Sequence, residues 1–331
     1  MSQGYTGGYV PAGKECLQTY NYLMNGNFNI WQRGTSFTKT NNTNEYFADR
    51  WRGHADNPSA NTWIVSRQAF TAGQTDVPGE PVYYLRGNCS VYGGSGQPRV
   101  QHVIEDVRTL AGKTVTLSLW MKGSSAFTFS ININQDFGVG GSSAVGHSLA
   151  SGASLTTSWA KYTYTVALSS IVGQTIGSSP YIYVDIRLTA PAAGQIIDIA
   201  QVQLEEGATA NRFEYPMFAD QLAHCQRYYT KSYNTDIAPA TATSVGVISA
   251  RSTGTIIHVD CPFFTRMRTT PTIVFYSSVT GTTGKARNAT TNADCNAVMD
   301  SQGSSRVTAV CDTTVASFDR IDVHYTAEAE L

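Results

Sequence analysis

One short run of this chain alternates flat aromatic rings and planar polar groups with aliphatic side chains. In Tyr181–Leu188, an extended backbone puts Tyr181, Tyr183, Asp185 and Arg187 on one face. Ile182, Val184, Ile186 and Leu188 fall on the other. Rings of this kind pack against the C–H face of a sugar, while carboxylates, amides and guanidinium groups exchange hydrogen bonds with its hydroxyls. Trp63, Tyr83 and Tyr84 are further ring candidates, with Asn88 and Asp136 as polar partners. The same residues suit an outer sheet layer or a subunit contact, where tyrosine is enriched. Trp31, Trp120 and Trp159 are expected in the core. Asp198 shares its predicted face with Ala200, Val202 and Leu204, and a carboxylate turned toward a core must be hydrogen-bonded, paired or bound to a cation.

Other chemistry finds little support. His54, His102, His147, His224, His258 and His324 are scattered, without an HExxH, GxSxG or phosphate-loop pattern. His258 and His324 are expected on outward strand faces, each two residues from an aspartate. Glu205 and Glu206 are adjacent, and neighbours on a strand point apart, so they read as a turn rather than an acid–base pair. The six cysteines lack metal-ligand spacing. The expectation is a protein without catalysis and without a cofactor.

These side chains must be positioned by strands. Charged residues make up 14% of the 331 positions, well under the ordinary share of about 25%. Ser, Thr, Asn, Gln and Gly carry the polarity, which suits sheets and turns rather than helical bundles. The net charge is −1 and no Lys/Arg run could track a phosphate backbone, so nucleic acid is not an expected partner. No apolar stretch is long enough to span a membrane as a helix, and the first residues show no secretory signal. Period-two patterning marks strands at Thr62–Ala69, Val82–Arg86, Thr114–Trp120, Ala126–Asn134, Lys161–Leu168, Tyr181–Leu188 and Ile196–Leu204. Val103–Leu110 hints at a short helix or turn. A second group of strands follows at Val245–Ala250, Thr255–Cys261, Thr272–Tyr276, Arg306–Cys311 and Arg320–Ala327, interrupted by a long polar loop over Ser277–Ser305. Between the groups, Phe218, Leu222, Cys225 and Tyr229 recur at helical spacing after Pro216, which predicts a helix with one apolar stripe. The chain therefore reads as all-β: an arm over 1–20, a β-sandwich over 21–215, a helical joint over 216–230 that packs through that stripe, and a small β-sandwich over 231–331.

Three stretches carry a family resemblance. Asn25–Phe37 (NGNFNIWQRGTSF) with Tyr46–Trp51 (YFADRW) resembles the opening of the jelly-roll domains of phage tail fibres, which are similar to galactose-binding-like carbohydrate-binding modules. The order SLWMKG, SWAKYTYTV, DIAQVQLEEG resembles the strand order of those modules. QLEEG, FEYP and LAHCQRYY, followed by Met267–Thr272 (MRTTPT), resemble the junction and C-terminal β domain of tailed-phage fibre and appendage proteins. The resemblance implies a non-enzymatic virion component, made in the host cytoplasm and assembled as a homotrimer. Residues 1–20 would dock onto other virion proteins and distal surfaces would meet a host glycan. A structural component without a ligand, decorating capsid or tail, is the alternative, and a glycan-cleaving tailspike a further one. The resemblance also implies a structural calcium near Asp198, against which stands simple hydrogen bonding of that carboxylate.

Overall fold

The computed structural model describes residues 20–56, 60–189, 191–254, 256–311 and 316–331. The expected arm over 1–20 lies outside them, apart from Tyr20. The first unit contains β1 (Ser36–Lys39), β2 (Glu45–Tyr46), β3 (Trp51–His54), β4 (Thr62–Ala69), β5 (Tyr83–Val91), β6 (Arg99–Glu105), β7 (Thr114–Gly123), β8 (Phe127–Asp136), β9 (Val145–Leu155), β10 (Ala160–Ala167), β11 (Tyr181–Thr189) and β12 (Gln195–Glu206). They form two antiparallel sheets, in the orders β1-β4-β5-β12-β7-β10 and β2-β3-β6-β11-β8-β9. Apart from the β2–β3, β4–β5 and β8–β9 hairpins, successive strands cross between the sheets, as in a jelly roll. Where a helix or turn is expected near residue 103, β6 runs on to Glu105 and only Val107–Thr109 forms a turn of 3-10 helix.

The inward faces meet in one core around Phe28, Phe47, Trp51, Trp63, Phe129 and Phe137. Each such side chain contributes roughly 2 kcal/mol when buried. The NGN motif clamps the sandwich shut. Buried Asn25, in the left-handed region at φ 57°, donates through Nδ2 to the carbonyls of Ile30 (2.8 Å) and Asp49 (3.1 Å). The Trp51 indole donates to the Asn25 carbonyl at 3.1 Å. At Gly26 the backbone lies so close to β12 that a Cβ would sit 2.0 Å from the Val202 carbonyl oxygen. Any other residue would break the Val202 N–H to Gly26 carbonyl bond of 2.9 Å.

The joint differs from its prediction. Helix α1 spans Phe218–Gln226, and Pro216 stands before it. Its buried face carries Gln221 and Cys225. Leu222 is half-buried and Phe218 is 51% exposed, so the expected stripe does not pack along its whole length. The stripe also outruns the helix: Tyr229 opens the next strand and is buried there. Helical periodicity extended through QRYY because Tyr229 is buried for a different reason, as a stacking partner of Arg33.

The second unit consists of β13 (Tyr229–Lys231), β14 (Ile248–Arg251), β15 (Ile257–Pro262), β16 (Thr272–Ser277), β17 (Lys285–Asn288), β18 (Ala293–Gln302), β19 (Arg306–Cys311) and β20 (Arg320–Glu328). β20 is central, with β13 and β14 paired on one edge and β16 and β17 on the other. β18 pairs with β17 through its first half and with β19 through its second, carrying the chain from one layer to the other. The loop expected over Ser277–Ser305 is thus largely the β17–β18 hairpin. β17 is short, and β18 exposes Val298 and Met299 beside a register shift, which hid the alternation. His324, expected outside, is fully buried, because β20 is covered on both faces. Its ring stacks on Tyr233 with centroids 3.8 Å apart, and burial lowers its basicity.

The two units meet through charge rather than apolar surface. The Glu330 carboxylate accepts from Arg33 Nη2 at 3.2 Å and from Arg50 Nη1. Arg33 lies 3.7 Å over the Tyr229 ring, and Arg50 lies 3.5 Å over the Tyr228 ring. Burial alone would lower both guanidinium pKa values, yet Glu330 holds both above their usual value. Lys231 Nζ reaches back to the carbonyls of Gln32 (2.6 Å) and Thr235 (3.2 Å), and burial pushes its pKa down to about 8. Breaking a buried ion pair from one side leaves the other charge unsolvated. Glu330→Gln should therefore lower unfolding stability by about 3 kcal/mol, measured by urea denaturation. A change under about 0.5 kcal/mol would show that the cluster does not hold the units together.

Candidate functional site

β11 runs through the middle of its sheet. Its aliphatic set is sealed in the core, and Tyr181 and Tyr183 stand half-buried on the outer face. The two rings lie 5.8 Å apart, tilted by 43°. Tyr181 is flanked across the strands by Glu105 and Asp136, and Tyr183 by Val103 and Asn134. The Arg52 guanidinium, 5.5 Å from the Tyr181 ring, buttresses it and donates to Gln101 Oε1 at 3.3 Å. Burial, then the nearby Asp185 charge, raises the Tyr183 phenol pKa, so it stays a neutral donor.

Asp185 departs from its expected role. It is fully buried and accepts from Arg187 Nε, with Arg99 Nη1 at 3.9 Å. Arg99 in turn pairs with Asp56 at 2.7 Å. Asp185 therefore fixes two arginines and does not itself face a ligand. Asp185 Oδ1 and Asn134 Nδ2 lack a hydrogen-bond partner among the described residues. Arg187 stays partly exposed above them. The face thus offers two stackable rings and an oriented guanidinium, while the Asn134 amide nitrogen is sealed beneath the surface.

The opposite sheet holds the remaining candidates. Trp63 is fully buried, its indole lying over Gly87, where a Cβ would come within 2.1 Å of the ring. It is a core residue and cannot serve as a platform. Tyr84 does lie outside, in a cluster with Phe70 (4.8 Å) and Trp159 (5.4 Å). Trp120 and Trp159, expected in the core, are half-exposed on this outer face. The signal was present: Val115, Leu117, Leu119 and Met121 are buried, so Trp120 must point away from them.

Asp198 also faces outward. A bulge in β12 between Ala200 and Gln203, with Gln201 at φ 47°, shifts the register by one and swaps the faces. Ile197 and Ile199 point inward before it, Val202 and Leu204 after it. Arg86 grips both Asp198 oxygens, Nε to Oδ1 at 2.7 Å and Nη2 to Oδ2 at 2.8 Å, and Lys122 approaches to 3.8 Å. Two cations already surround the carboxylate, which accounts for its burial without calcium. Among the described residues, no cluster of three or more His, Cys, Asp or Glu side chains is placed to hold a metal ion. Beyond the bulge, Gln203 and Glu205 hold the connector that leads to α1. Glu205 Oε1 accepts from the Asn211 N–H and Gln203 Oε1 from the Glu214 N–H, both at 2.8 Å.

No protein-family model and no curated protein sequence matches the chain. Among solved structures, a protein of Bacteroides thetaiotaomicron VPI-5482 described as sugar binding is similar at 13% identity and a TM-score of 0.36, over 57% of this chain and 100% of that one. The CBM22-1 xylan-binding domain of Paenibacillus barcinonensis Xyn10C gives 14% identity and 0.32, over 54% and 99%. The enzymatically active domain of bacteriophage CBA120 tailspike protein 4 gives 12% and 0.28, over 44% of this chain and 19% of that one. Likenesses this distant carry no weight for site or ligand, which must be read from the residues themselves.

Chelation separates the two accounts of Asp198. EDTA should leave the melting temperature unchanged, whereas Asp198→Ala should cost about 2 kcal/mol by stripping Arg86 and Lys122 of their partner. A melting temperature that drops with EDTA and recovers with calcium would reinstate the cation.

Proposed function

We propose that this chain is a non-enzymatic glycan-binding component of a phage particle, which holds sugar on the outer face of its jelly roll through Tyr181 and Tyr183. The observation that carries the reading is the ring pair, with Arg52 beside Tyr181 and the partly exposed Arg187 on the same strand. Rings supply stacking area, and guanidinium donors supply orientation. The virion assignment rests on the resemblance of the junction and the opening motif to phage fibre proteins. Residues 1–20 are then the segment that meets other virion proteins.

Three features support the rest of the reading. Glu205 is buried against Asn211 while Glu206 pairs with Lys113 at 2.8 Å, so the adjacent carboxylates serve separate structural partners. His102 and His324 are enclosed, and burial lowers the basicity of both. Phe218 and Phe264 remain 51% and 68% exposed, apolar surface suited to burial between copies in a homotrimer. Three copies would turn weak single-site contacts into firm adhesion.

A glycan array with the purified protein tests the reading. Wild type should bind a defined set of glycans, and the double variant Tyr181→Ala/Tyr183→Ala should bind at least about tenfold more weakly, with an unchanged melting temperature. Absence of binding by wild type at high avidity would favour a purely structural decoration protein.

A further inference from the structure

The outer face of the other sheet carries a cleft that the reading above does not use. The connector, pinned to β12 by Gln203 and Glu205, forms one wall with Phe213 and Tyr215, whose rings meet edge to face at 5.0 Å. Gln201 and Pro78 close one end, where the Tyr215 hydroxyl donates to the Pro78 carbonyl at 3.1 Å. Trp120 lies between Lys161 and Ala200 on the neighbouring strands, stays partly exposed and lines the cleft. The enclosed space is about 280 Å³, close to the lower end of small-ligand sites.

Its charge is one-sided. Lys161 and Arg212 line the cleft, and neither has a carboxylate within ion-pair distance among the described residues. Among the described residues, the Lys161 ammonium makes one long contact, 3.4 Å, to the Asn211 carbonyl. Of the nearby carboxylates, Glu205 is buried with both oxygens engaged by Asn211, and Glu80, close enough to act on Tyr215, accepts from the Gly73 N–H and does not line the cleft. The pattern of ring beside cation continues along the strands, where Lys122 Nζ stands 5.2 Å over the Trp159 ring.

We propose that this cleft binds a sugar residue bearing a carboxylate, its ring stacked on Trp120 and its charge held between Lys161 and Arg212. A neutral sugar would leave both cations unanswered. A nucleic acid strand would need a longer cationic track than two side chains beside a walled cleft, on a chain of net charge −1. The site lies on a different sheet from Tyr181 and Tyr183 and stands or falls independently of them.

Tryptophan fluorescence titration of the full chain tests it, with a galacturonate trisaccharide, the neutral galactose trisaccharide and oligothymidylate as probes. The uronate should bind and perturb the emission, and the neutral sugar should bind at least about tenfold more weakly. Lys161→Gln/Arg212→Gln, at partly exposed side chains that leave the fold intact, should abolish that preference with an unchanged melting temperature. Tyr181→Ala/Tyr183→Ala should leave uronate binding unaltered. Equal binding of the neutral sugar, preferential binding of oligothymidylate, no binding of the uronate, or uronate binding lost only in the tyrosine variant would each overturn the proposal. Uronate binding that survives in the tyrosine variant, with a negative glycan array for neutral sugars, would sink the Tyr181/Tyr183 reading and leave this one standing.

Discussion

The placement of everything else depends on one carboxylate. Glu330 bridges two arginines of the jelly roll, and each arginine lies flat on one of the consecutive tyrosines that lead into the second unit. Two buried guanidinium groups would be prohibitive without a counter-charge, and the single carboxylate neutralises only part of that charge. Glu328, Asp49 and the tyrosine faces supply the remainder: Glu328 lies 3.5 Å from Arg33, and Asp49 stands near the same guanidinium. A contact of this kind is directional. It sets the rotation of the second unit on the first, which an apolar patch would not do.

That rigidity matters for both outer faces. The connector of residues 211–215 cannot swing freely, because Glu205 holds Asn211 at one end, Gln203 holds Glu214 near the other, and the Tyr215 hydroxyl donates to the Pro78 carbonyl. The cleft beside Trp120 is therefore formed by the connector lying back on the sandwich. On the Tyr181/Tyr183 face, Asp185 orients Arg187 and Gln101 accepts from Arg52 within the same sheet, while Arg52 also donates to the Leu331 carbonyl at 2.7 Å. Glu105, beside Tyr181, takes Arg227 and the Tyr228 hydroxyl, so this is the face that borders the junction.

The strands were legible wherever one face is aliphatic. Thr62–Ala69 and Arg306–Cys311 end where the alternation says they should, and β11 turns the expected residues inward. Legibility failed where the physical signal was absent or reversed. β9 is rich in Gly, Ser and Ala at a sheet edge, and β18 exposes Val298 and Met299 beside a register shift, so neither shows a clean period. At Asp198 a single bulge inverted the faces, and a bulge leaves no mark in residue type. Trp120 and Trp159 defy the usual burial of tryptophan: the parity of β7 points Trp120 outward, and Trp159 stands just before β10. Asp185 lies on the expected face but plays a different part there. Alternation tells direction, and only the surrounding arginines determine that this carboxylate is sealed over.

Both outer faces of the jelly roll are proposed to hold sugar through aromatic residues. Photo-crosslinking the intact protein with a diazirine-bearing oligosaccharide, selected on the array, followed by peptide mapping, addresses this most directly. Labels are expected on peptides containing Tyr181–Arg187 or, for acidic sugars, on those containing Trp120 and Arg212. Labels confined to residues 231–331 would contradict it.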